Sequence, residues 1–166
     1  MNELEIIRSQ IAVEQAHAAE VANALPEATA PSREACVSYL VWVLARFDEL
    51  DQTLLELLSS RQSSANGAVA ANARHLAGLI GRPGTSREAL SRLEAALGAT
   101  ESAAAHTGWQ EFVRFFNSAW VPRRAALEGA LAQHLSVADL RTISAIDADS
   151  MLEERKLHAR AVAHRS

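Results

Sequence analysis

Cysteine, lysine, tyrosine and β-branched residues are scarce in this chain of 166 residues, and each shortage excludes something. One cysteine, Cys36, allows no intrachain disulfide, so nothing staples the fold for an oxidising compartment and cytoplasm is the expected location. The start, Met-Asn-Glu-Leu-Glu, has neither the basic residues nor the continuous apolar stretch of a secretory signal. The longest strongly apolar stretch, Tyr39 to Ala45, is too short to cross a bilayer, and no membrane partner is expected. Isoleucine and valine number 6 and 10 against 34 alanines and 20 leucines, and aromatics reach only 5%, which excludes a mostly-β fold. A net charge of −4 lacks the cationic excess by which proteins neutralise phosphates, so no nucleic-acid partner is expected. Among 16 basic residues only Lys156 is a lysine; with the alanine excess, this is the composition expected of a GC-rich bacterial genome.

What is present is helix-forming and apolar. The chain is 49% hydrophobic, enough for one core, and reads as a single domain over residues 1–166. The expected fold is all-α, an up-and-down four-helix bundle with additional short helices. Leu4, Ile7, Ile11, Ala18, Val21 and Leu25 form a stripe along a first helix that Pro26 ends. Cys36, Leu40, Val43, Phe47, Leu50, Leu54 and Leu57 form the clearest stripe, from about Ser32 to Ser60, and Leu44, Leu55 and Leu58 widen it. A face this wide must meet at least two neighbours, which places the second helix at the centre of the bundle. The tract Ser59–Ser64 reads as a loop or frayed end. Thr85-Ser86-Arg87-Glu88 and Thr107-Gly108-Trp109-Gln110 both have capping-box spacing and predict helix starts. Ser136-Val137-Ala138-Asp139 and Ser150-Met151-Leu152-Glu153 predict two further short segments. Pro122 is expected to kink or break the aromatic-rich helix that carries Trp109, Phe112, Phe116 and Trp120. With Phe115, this aromatic row is expected to be core, the alternative being the lining of an apolar ligand pocket.

Residues that violate the stripes are the candidates for function. Glu14 occupies a core position of the first helix, where an ionised carboxylate must be paired, protonated, exposed by a local gap or bound to a metal. His17 lies three residues on, and Glu-x-x-His is the spacing by which helix-bundle carboxylate proteins present two metal ligands inward. Asp48 and Asp51, at the edge of the second helix's apolar face, and His134, continuing the Leu127–Leu131 stripe, could complete a site for iron or another divalent transition metal. Without a metal, Glu14 is expected to pair with an arginine or to sit near solvent, and His134 to hydrogen-bond at a helix end. Asp147, Asp149, Glu153 and Glu154 fit the capping of a late helix, although Asp147-x-Asp149 could also give oxygen ligands to a hard cation, and Cys36 on the apolar stripe fits a buried, unreactive thiol. No phosphate-binding loop, Cys-x-x-Cys or Gly-x-Ser-x-Gly element is present.

A helical bundle with His17 on its first long helix and a late His134-x-x-x-x-Asp139 resembles the hemerythrin-like family. The resemblance implies a bundle that binds non-heme iron and dioxygen, with Asp139 joining His17 and His134 as a ligand. The family's second-helix His-x-x-x-Glu and third-helix His-x-x-x-His have no counterparts here; His75 stands alone in the third helix. Two functions follow. One is a metal-binding bundle for oxygen chemistry, sensing or storage. The other is a metal-free helical interaction module, forming a homodimer through apolar rows that continue into a partner.

Overall fold

The computed structural model describes residues 3–64, 67–98, 102–143 and 148–163, and every regular element among them is helical. The elements are α1 (Glu3–Ala24), α2 (Ala30–Ser64), α3 (Gly67–Ile80), α4 (Ser86–Leu97), α5 (Ser102–Phe115), α6 (Val121–His134), α7 (Val137–Ile143) and α8 (Ala148–Ala163). The all-α fold is the one the alanine and leucine excess dictates. Pro26 closes α1 through a short 3-10 turn, Leu25–Glu27.

The 35-residue α2 is the spine of the bundle, touching α1, α3, α4, α7 and α8. Its breadth supports two separate hydrophobic cores. The first gathers Ala18, Val21 and Leu25 of α1, Tyr39, Leu40, Leu44 and Phe47 of α2, Leu93 of α4 and the aromatics Trp109, Phe112, Phe116 and Trp120. The second lies further along α2, where Leu54 and Leu58 meet Leu76, Leu79 and Ile80 of α3 and Leu127 of α6. Ile11 and Leu50 pack against both. The aromatic row is therefore core; Phe115 alone is half-buried, under the Arg92 guanidinium at 4.1 Å.

Local departures from expectation have local causes. The polar tract at 59–64 continues α2 to Ser64 instead of fraying, because Leu58 is buried and Arg61 is tied to Asp139. The spacing at Thr107 starts no helix, since α5 already runs through it from Ser102. Pro122 does not end the helical run, which continues through it into α6. A π-helical turn, Phe116–Trp120, precedes it, with the Val121 amide donating to Phe116 O, and this wider turn accommodates a residue that can neither donate nor clear the carbonyl four back. The cap at α4 forms as expected in part. Thr85 accepts from the Glu88 amide at 3.3 Å, but Glu88 reaches back to the Gly84 amide at 2.7 Å. Gly84 has φ +98°, and a Cβ there would meet the Ala119 backbone at 2.9 Å, so the turn that seats α4 on the π segment requires glycine. No helix among the described residues is long and apolar enough to cross a membrane.

Candidate functional site

Glu14, whose place on the stripe left its burial open, is fully buried. Its carboxylate accepts from Gln10 one turn back at 3.2 Å and from Arg46 Nε of α2 at 3.2 Å. Burial raises its pKa above the ordinary 4.5; Arg46 and Gln10 oppose the shift, and the negative Glu154 adds to it. A raised folded-state pKa means that the protonated form favours folding. The contribution is full below the unfolded value and is lost as pH rises through the folded one. Glu14→Gln is accordingly expected to remove a decline in stability as pH climbs above about 4.5, read as melting temperature against pH. An unchanged profile would mean that Glu14 is ionised without cost.

His17 does not turn toward Glu14. Its Nδ1 lies 2.6 Å from Glu154 Oε1 on α8, and the Tyr39 hydroxyl of α2 donates to the same oxygen at 2.9 Å. Burial, then the neighbouring Glu154, push the Tyr39 phenol far above its usual range and keep it a donor. His17 also stacks on His158 of α8, ring centroids 3.6 Å apart and planes within 8°, and His158 Nε2 lies 3.2 Å from Glu20. Three helices are thus fastened around one buried carboxylate. Stacked imidazoles keep their in-plane lone pairs in parallel planes, so these two rings do not converge on one ion.

A second polar centre sits between the two cores. Asp51 of α2 accepts from Arg124 Nη1 at 2.7 Å, while Arg123 Nη2 stands 3.8 Å from its other oxygen. The Arg124 guanidinium lies over Phe47 at 4.8 Å and Trp120 at 6.0 Å, which suits a planar, weakly hydrated cation. Arg123 donates to Leu79 O and Ile80 O at 2.9 Å each, satisfying the last carbonyls of α3.

The residues singled out from the sequence are therefore dispersed. Glu14 faces Arg46, His17 faces Glu154, Asp48 makes an outer pair with Arg87, and Asp51 faces Arg124. Asp139 pairs with Arg61 and forms a reciprocal cap with Ser136 at the start of α7. The backbone of His134 closes α6, and its side chain lies outside the described residues, as does Asp147. Among the described residues no three His, Cys, Asp or Glu side chains are placed to hold one metal ion. Cys36 is buried and its thiol faces Ala161 O at 3.7 Å.

The partners that sequence reading missed are three arginines, one histidine and one carboxylate: Arg46, Arg61, Arg124, His158 and Glu154. The capping reading of Glu154 overlooks that Glu154, Leu157, His158 and Ala161 recur at three- and four-residue spacing, the mark of an inward stripe with polar members. Compared with protein-family models, curated proteins and solved structures, the chain gives no match.

Proposed function

We propose that this chain is a metal-free helical interaction module that pairs with a second copy through the outer face of α1. The observation that carries the reading is the exposure of Ile6 and Val13, at 47% and 45%. They stand seven residues apart, two helical turns, on one side of α1. Ser9 and Ala16, three residues beyond each, are exposed too and continue the same row. This is the heptad spacing of a helix-pairing seam, with small residues that let two backbones approach, and a seam of this kind complements itself in a two-fold dimer. The opposite face of α1 carries Ala18, Val21 and Leu25 into the bundle, so the seam takes nothing from the core.

The interior charges support a binding module over an enzyme. Glu14, Asp51, Asp139 and Glu154 are each engaged by a side chain of another helix, which makes them fasteners of the bundle. Sedimentation equilibrium is expected to give a concentration-dependent dimer, and Ile6→Glu with Val13→Glu a monomer of unchanged helicity. A monomer at all concentrations up to about 100 μM, well above the usual range of specific pairing, would defeat the proposal. Elemental analysis of the same samples separates the hemerythrin-like alternative. Stoichiometric iron that disappears in Glu14→Ala/His17→Ala would favour metal binding instead.

A further inference from the structure

The last helix, α8, carries charges that the bundle does not use. Asp149, Glu153, Lys156 and Arg160 follow one another at four- and three-residue spacing, which sets them in one row along the helix. All four are exposed, and none forms an ion pair among the described residues. Glu154 and Ala161, on another side of α8, are buried against α1 and α2, so the charged row stays outside.

Acids at the start of a helix and bases at its end complement the helix dipole, which accounts for the order of the signs on any face. It does not require the four to share a row, and sharing one makes the row its own complement. When a second α8 is laid antiparallel about a two-fold axis between Glu154 and Arg155, Asp149 comes opposite Arg160 of the second copy and Glu153 opposite its Lys156. Symmetry makes each pair twice. A parallel pairing in register would instead set every charge against its like. Leu152, 50% exposed, then falls between Lys156 and Ala159 of the second copy, and the exposed Ala159 and Ala163 let the backbones approach.

We propose that α8 pairs antiparallel with α8 of a second copy through this row, a contact separate from the seam on α1 and independent of it. Ion pairs between exposed side chains contribute at most about 1 kcal/mol each and are screened by salt. At ordinary salt this contact alone therefore leaves copies apart, and the Ile6→Glu/Val13→Glu variant stays monomeric there; at low salt the contact forms.

Lys156 is the only lysine in the chain, so zero-length carbodiimide coupling has one side-chain amine to use. The test couples an equal mixture of unlabelled and heavy-nitrogen protein, in which peptides joining Lys156 to Glu153 across the two labels come only from contact between copies. Their yield is expected to fall at least about fivefold between about 20 mM and about 500 mM salt. Arg160→Glu, which sets a carboxylate against Asp149 of the second copy, is expected to lower it at least about fivefold at low salt, and Asp149→Arg with Arg160→Glu to restore it. Neither variant touches the coupled residues, and circular dichroism is expected to show unchanged helicity. No mixed-label peptide at low salt would overturn the proposal and leave the helix dipole as the whole account of the charges. So would a yield indifferent to Arg160→Glu, or a double reversal that stays helical and restores nothing. Should the double reversal lose helix, the salt series and Arg160→Glu decide.

Discussion

Arg124→Ala destabilises the chain by about 3–5 kcal/mol, the cost of removing one partner from a buried ion pair. The change strands the Asp51 carboxylate inside the bundle, where the remaining cation, Arg123, is 3.8 Å away and already committed to Leu79 O and Ile80 O. It also strips a guanidinium from the faces of Phe47 and Trp120. Urea unfolding followed by circular dichroism measures the loss, which should appear as a lower midpoint at unchanged slope. A double replacement, Asp51→Leu with Arg124→Met, is expected to cost less than the sum of its parts, because no carboxylate is stranded and Arg123, the charge that remains, keeps its bonds to Leu79 O and Ile80 O. A loss under about 1 kcal/mol for Arg124→Ala would place the pair in the range of solvent-exposed ion pairs.

Trp120→Ala should be comparably severe, at about 3–5 kcal/mol, because it empties the largest fully buried side chain from the first core. Trp120 stacks on Phe116 at 4.4 Å, meets Phe47 edge-on at 5.6 Å and donates from Nε1 to Ser86 Oγ at 3.1 Å, so it joins α2, α4 and the π turn. Trp120→Phe keeps most of the volume but leaves the buried Ser86 hydroxyl without its donor, for a smaller loss of about 1–2 kcal/mol. Thermal unfolding of the two variants separates packing from hydrogen bonding. Equal losses would show that the Ser86 bond, and not the ring, dominates. Since Trp120 and Arg124 are neighbours, their substitutions are expected to be non-additive.

Helix content and the central place of α2 could be read from the sequence because they depend on periodicity, a property of residues close together in the chain. The place of Glu14 on the apolar stripe was legible for the same reason, but its burial was not, because a local gap in the packing would have exposed it. Its partner was not legible, because Arg46 lies 32 residues away and becomes a neighbour only once α1 folds back along α2. His17 illustrates the limit further. Spacing along α1 allows it to share an ion with Glu14, but α8 arrives from 137 residues away with Glu154 and captures its ring. The aspartates at 51 and 139 were likewise visible as acids near apolar faces, and what decides their role is the arginine that another helix brings. Local sequence gives the positions of polar intrusions; packing of distant helices decides whether they fasten the bundle or bind something.

The π turn before Pro122 contains one residue more than the α-helical turns beside it. Deleting the exposed Ser118 would remove that surplus and return the segment to the ordinary period, so the residues after it would keep their faces, Arg124 toward Asp51 and Leu127 toward the second core. The wider turn thus absorbs one residue without passing a rotation of about 100° on to the rest of the helix, and the alignment of both cores along α2 is kept despite it.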